Sequence, residues 1–240
     1  AESILKNMSI EKTWRWFGSN DTITLRELKQ IGIEGIVTSL HHLKPGELWE
    51  VKEINKVKEE IEEEGLRWGV VESLPVSEEI KLNSERSRNH IENYKRSLIN
   101  LSECGIDTVC YNFMPVLDWA RTDLQYIDSD GSETMLFDLI TFAAFDIFIL
   151  QRPNAERDYF PEVSLKAREK FEKMKEAEKE ELSYTIVVYT QGFINSAVAD
   201  SKDYLSLFIR ALRRYNEIDK ARLRQHFSIF IKEVVPVAEK

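Results

Sequence analysis

The sequence predicts an α/β fold of parallel strands joined by helices, and three observations carry that prediction. Short apolar runs alternate with amphipathic helical stretches through the first half of the chain, one pair per roughly thirty residues, as in successive βα units. The runs are nearly continuous in apolar residues, as strands are when helices cover them. Glycines (Gly65 and Gly105) close two of the helical stretches, where a left-handed residue ends a helix at little steric cost.

In chain order, residues 13–17 (TWRWF) read as a first strand ended by Gly18, and Asn20 and Asp21 offer a cap for a helix over 23–30. Residues 35–40 form a second strand that runs directly into His41 and His42. A charged helix over 51–64 carries Val51, Ile54, Val57 and Ile61 on one face. Residues 67–73 (RWGVVES) are a third strand, 84–103 a further helix, and 108–114 (TVCYNFM) a fourth strand stopped by Pro115. Such spacing favours parallel strands with right-handed crossovers.

After Pro115 the character changes. Residues 117–131 read as a polar loop with an aspartate-rich turn, 137–151 as a buried apolar helix, and 164–182 as a solvated charged helix. Residues 184–193 fit a strand or a helix end, and 203–215 and 219–239 are helical. The first Met is at position 8, so residues 1–7 are taken as a foreign or upstream extension. Residues 8–240 are then taken together, with a helical insertion over about 136–239.

The 42 acidic residues outnumber the 33 basic ones, for a formal charge of −9, and leave no basic stripe for nucleic acid. No apolar run approaches the ~20 residues of a membrane span, and no charged-then-apolar signal segment opens the chain. Two cysteines, Cys104 and Cys110, make no disulfide framework and fit a reducing, cytoplasmic setting. P-loop, GxGxxG, CxxC and nucleophile-elbow motifs are all missing.

Active sites of βα folds gather at the C-terminal ends of the strands. That rule selects Trp16, Phe17, Asn20 and Asp21 after the first run, His41 and His42 after the second, Glu72 and Ser73 after the third. After the fourth it selects Asn112, Asp118, Trp119 and Arg121. For any one of these the plainer reading is a capping or loop residue. Adjacent histidines point to opposite sides of an extended segment, so at most one of the pair faces the site, where it could serve as a general acid or base, the other being a packed histidine. Glu72 ends an apolar strand, where a carboxylate needs a partner or a function. Asp118 and Arg121 are spaced to pair with each other, or Arg121 to grip a substrate carboxylate. Cys104 and Cys110 read as structural, and His90 and His226 as surface or packing residues.

Five stretches then carry a resemblance: EKTWRWFG (11–18), IVTSLHH (36–42), WGVVESLPV (68–76), IENYKRSLINLSECGIDTVCYNFMPVLDWARTDL (91–124) and FAAFDIFILQRP (142–153). Together with IDKARLRQHFSIFIKEVVPVAEK near the end, they resemble mannonate dehydratase over about residues 8–240. The resemblance implies a (β/α)8 TIM barrel, of which this chain would cover about the first four βα units plus the helical insertion, residues 8–240 forming the N-terminal part of the barrel domain. It also implies a hydro-lyase of hexuronate breakdown that uses Fe(II) or Mn(II) to dehydrate D-mannonate to 2-dehydro-3-deoxy-D-gluconate. The family's metal ligands lie on later strands, so this chain alone is expected to hold no metal and to be inactive. It also lacks the Gly-Leu-Pro-Gly segment many members have around 184–198.

On that resemblance His41 and His42 are the catalytic expectations, and Trp16, Glu72, Asn112, Asp118 and Arg121 the substrate-binding ones. The expected partner is a small sugar acid, with no nucleic acid and no membrane, and a homo-oligomer is open to it. The contrasting expectation is a non-catalytic half-barrel, which would self-associate or pair with a complementing chain because it leaves sheet edges and an apolar face uncovered.

Overall fold

In the computed structural model, which describes residues 10–190 and 203–240, the apolar runs of the first half assemble into a parallel sheet of order β1-β2-β3. Strand β1 is Thr13–Arg15, and helix α1 (Leu25–Gln30) follows it. Thr24 caps α1 in a reciprocal box with Glu27. Asp21, the expected cap, serves the preceding turn instead. Strand β2 (Gly35–Thr38), helix α2 (Val51–Glu63), strand β3 (Arg67–Val71), a short helix α3 (Glu78–Leu82) and a long helix α4 (Ser87–Glu103) come next. Gly65 and Gly105 adopt the left-handed conformation expected of them, with φ of +69° and +76°.

The fourth expected strand is a correction. Of residues 108–114 only Val109 forms a bridge, parallel to Val71. Cys110 N then donates to Val71 O (2.8 Å) and Leu74 N to Cys110 O (3.1 Å). Strand β3 stops at Val71, so the run loses its extended partner after one bridge. The described residues thus hold three parallel strands and a bridge in a mixed α/β architecture, rather than four full strands, and no closed barrel is present among them.

The molecule divides into two compact units: the described residues up to Phe113 with Ile218–Lys240, and Met114–Glu217. In the first, one sheet face supplies Ile36, Trp68 and Val71 to the core, beside Leu28 of α1, Ile54 and Ile61 of α2 and Leu101 of α4. Trp49 is also buried there, its main chain bonded at both ends: Ser97 Oγ accepts from its N–H (2.9 Å) and Asn100 Nδ2 donates to its carbonyl (2.7 Å). Pairing within the sheet is interrupted once. Ile36 stands beside Trp68, but Val37 beside Val70, so Gly69 is an extra residue in β3. The Trp68 indole spans the bulge and donates to Val70 O (3.0 Å).

The second unit opens with a finding the sequence reading missed. Strands β4 (Asp123–Ile127) and β5 (Glu133–Leu136) form an antiparallel hairpin where a polar loop was expected. Helix α5 (Leu139–Ala144), capped by Asp138, widens into a π turn over Phe145–Ile149 and gives the expected buried apolar segment. The charged stretch 164–182 is two helices, α6 (Pro161–Lys173) and α7 (Glu176–Tyr184), parted at Met174. Met174 takes an extended conformation and packs against the core of Phe145, Leu182, Ile186 and Phe208. A second π turn, Thr185–Tyr189, continues α7, so the described part of 184–193 is helical. Helix α8 (Tyr204–Arg213) completes this unit.

Helix α9 (Lys220–Ala238) returns to the first unit, where it buries Phe230 and Val234. His226 of α9 lies 2.8 Å, through Nδ1, from the Lys81 carbonyl, a packing role consistent with its reading from sequence. The helical segment expected over 136–239 therefore sits in a unit that begins at Met114, with α9 belonging to the other unit. Residues 1–7, expected to be an extension, lie outside the described residues.

Candidate functional site at the ends of the parallel strands

Strand periodicity puts alternate residues on opposite faces. Ile36, Trp68, Val71 and Val109 face the helices. Arg15, Val37 and Val70 form a row on the other face, and beyond the bulge Glu72 and Cys110 join that face. None of these five is fully buried. The face is apolar at its centre and carries charge and hydrogen-bonding groups where the strands end.

The turn after β1 builds one wall. Gly18 takes a left-handed φ of +85°, and Asp21 N donates back to Gly18 O (2.8 Å). The Asp21 carboxylate then accepts from Phe17 N (2.8 Å) and Ile23 N (3.0 Å). These bonds hold its pKa below the usual carboxylate range. Phe17 is thereby fixed with its ring 53% exposed, 5.0 Å below the Arg15 guanidinium and 5.9 Å from the His41 ring.

His41 occupies the end of β2. Its Nε2 lies 3.4 Å from Thr38 Oγ1, and the Thr38 hydroxyl donates to the Trp16 carbonyl (2.6 Å). One side of the ring packs against this edge while the rest meets solvent. That desolvation lowers its pKa below the ordinary histidine value. The Trp16 carbonyl and Asp21 push the other way, while Arg15 and His42 add to the lowering. His42 turns elsewhere, with Nε2 3.0 Å from Glu53 on α2, an exposed pair worth little. The expectation that one histidine of the two faces the strand ends corresponds to His41.

Glu72 follows β3. Its N–H donates to Thr38 O (2.9 Å), and its carboxylate accepts a hydrogen bond from the Cys110 thiol. Burial, with that bond and the nearby negative charge, pushes the Cys110 pKa up, and Arg15 opposes the shift. Cys110 thus has a specific polar partner beyond the structural role read from sequence. Asn112 is half-buried two residues later. Trp16 is 3% exposed, a core residue that offers this edge its main-chain carbonyl.

Asp118 and Arg121 belong to the second unit. Asp118 Oδ1 accepts from Trp119 N (2.6 Å), and Arg121 donates to the Ala120 carbonyl (2.8 Å) with its guanidinium 6.0 Å from the Trp119 ring. The structure therefore brings Trp16, His41 and Glu72 together, with Asn112 on the chain just past Cys110. Arg15 was missed by sequence reading, although strand alternation opposite Trp14 and Trp16 was the signal that would have found it. The second unit also holds a cavity of about 590 Å³ between the 150–154 turn and Ile209–Asn216. The arginine of that turn, Arg152, is already committed to Asp146 and Asp158.

No group of three or more His, Cys, Asp or Glu side chains among the described residues is placed to hold a metal ion. No described helix is long and apolar enough to cross a membrane.

Comparison with known proteins gives a consistent result. A family model described as D-mannonate dehydratase (UxuA) matches residues 10–240. The chain is 46% identical over 231 residues to a mannonate dehydratase of Marinomonas sp., covering 96% of this chain and 58% of that protein. It is 41% identical over 230 residues to the mannonate dehydratase of Saccharophagus degradans, covering 96% and 56%. The crystal structure of mannonate dehydratase from Streptococcus suis serotype 2 superposes with a TM-score of 0.62 at 29% identity, over 96% of this chain and 51% of that one. The chain thus spans a little over half the length of the curated relatives it matches.

Proposed function

The chain belongs to the D-mannonate dehydratase family, and from that premise we propose that it supplies substrate-facing residues of a (β/α)8 enzyme that removes water from D-mannonate. In this reaction the C2 proton leaves, the C3 hydroxyl departs as water, and the resulting enol becomes the ketone of 2-dehydro-3-deoxy-D-gluconate. The observation that carries the reading is the convergence of Arg15, His41, Glu72 and Cys110 at the C-terminal ends of parallel strands in a chain of this family.

The roles follow from charge and protonation. His41, with its lowered pKa, is an uncharged imidazole at neutral pH and suits proton transfer at the substrate. Glu72 and Asn112 offer hydrogen bonds to sugar hydroxyls, and Asp118 and Arg121 remain substrate-binding proposals on the strength of the resemblance. His42, tied to Glu53, is the weaker of the two histidine proposals. Any divalent metal the reaction uses, Fe(II) or Mn(II), is held by residues other than those described, and no step here runs through it.

The test is water loss from D-mannonate by the gene product that carries these residues, followed as formation of the 2-keto-3-deoxy acid with Fe(II) or Mn(II) supplied. Activity that falls about a hundredfold or more in His41→Ala is the expected outcome. A purified, folded product that leaves D-mannonate unchanged with either metal overturns the proposal.

A further inference from the structure

Arg15 ends β1 on the sheet face opposite the core, beside Val37, and is exposed. Some arginines of this chain are already neutralised by carboxylates, Arg67 by Glu11 and Arg152 by Asp146 and Asp158. Arg15 has no such partner among the described residues, in a chain where acidic residues outnumber basic ones. Its side chain is nonetheless placed. The guanidinium lies over the Phe17 ring at 5.0 Å, and Phe17 is pinned through its N–H by Asp21. The groups it influences, His41 and Cys110, are those gathered at the strand ends. A planar, permanently charged fork that is held in place and left unneutralised beside a neutral imidazole is suited to an anion brought from outside.

We propose that Arg15 binds the carboxylate of the sugar-acid substrate, gripping both oxygens while the Phe17 ring sets the height of the guanidinium. The inference rests on the dehydration reading and adds to it the residue that selects an acid over a neutral sugar. A cation at the carboxylate also stabilises the negative charge that builds there as the neighbouring C2 proton leaves. Arg15 is therefore a substrate-binding residue whose grip tightens toward the transition state.

The experiment measures dissociation constants of D-gluconate, which carries the same carboxylate, and of D-mannitol, which carries none, on the gene product and on its Arg15→Gln and Arg15→Lys variants. Near-UV circular dichroism checks that each variant is folded. Arg15→Gln should weaken gluconate on the order of tenfold to a hundredfold, Arg15→Lys by less, and mannitol should be unaffected. For D-mannonate, KM should rise by a comparable factor. Unchanged gluconate affinity in Arg15→Gln overturns the inference, as does equal weakening of gluconate and mannitol, or no gluconate binding to the unsubstituted protein. Should Arg15→Gln fail to fold, the gluconate constant of Arg15→Lys decides: an unchanged value overturns the inference and a weakened one supports it. Arg15-dependent gluconate binding by a protein that leaves D-mannonate intact supports this inference while overturning the dehydration reading.

Discussion

The Thr38 hydroxyl donates to the Trp16 carbonyl across 2.6 Å, joining the exits of two neighbouring parallel strands through a side chain that is fully buried. A hydroxyl buried to this degree cannot turn to water if its acceptor is lost, nor can the carbonyl. Thr38→Val keeps the β-branched shape and removes this bond together with the hydroxyl's 3.4 Å contact to His41 Nε2. It should cost about 1–3 kcal/mol of stability in urea unfolding, without a change in the slope of the transition.

His41 should titrate below the ordinary histidine value, as followed by the NMR shifts of its ring. The charged groups facing it are Arg15, Asp21 and His42. Arg15→Gln should therefore raise its pKa and Asp21→Asn lower it. The stability consequence has a definite sign. Between the ordinary value and its own lower one, the unfolded chain holds more protons than the folded one, so stability falls as pH drops through that window and levels off below it.

Cys110 should be a slow nucleophile. Its pKa is raised by burial and by Glu72, so little thiolate is present near neutral pH. Alkylation by iodoacetamide, located by peptide mass, should be slower at Cys110 than in a model peptide. Glu72→Gln should speed it several-fold by removing the negative charge. An unaltered rate in that variant would show that the two side chains do not interact in solution.

In the second unit Asp146, 4% exposed, accepts two bonds from Arg152 (2.8 and 2.7 Å) and one from the Tyr159 hydroxyl (2.8 Å). Asp146→Ala should cost about 3 kcal/mol, the low end for breaking a buried ion pair, because Arg152 keeps Asp158 and some contact with solvent. Tyr159→Phe should cost about 1 kcal/mol. Thermal unfolding of both variants checks the order.

Much of the first unit was legible because its signals are local. Gly65 and Gly105 end helices where they should, and Ile54 and Ile61 mark the buried face of α2. The fourth strand was over-read because TVCYNFM is apolar enough to be a strand, whereas pairing is decided by a neighbour, and β3 ends at Val71. The β4–β5 hairpin was under-read for the converse reason. Its residues are largely exposed, so no apolar run announced it, although Asp130-Gly131 marked the turn. No Gly or Pro parts α6 from α7; Met174 packs into the core where α6 ends, and the Glu178 carboxylate accepts from Lys175 N (2.7 Å) to open α7. Arg15 escaped notice because strand alternation places a lone arginine on a face without showing the ring beneath it.

The single extra residue in β3 has a consequence for parity. Before Gly69 the core-facing position of this strand is Trp68, and after it Val71, an odd step instead of the even one a regular strand allows. Two phases of the side-chain alternation are thus spliced within five residues. Were Gly69 to take an ordinary pleated place beside Val37, one phase would run throughout, turning Val71 outward and driving the Glu72 carboxylate in among Ile36 and Trp68. The side of the sheet on which Glu72 lies is set by the bulge at a residue that has no side chain of its own.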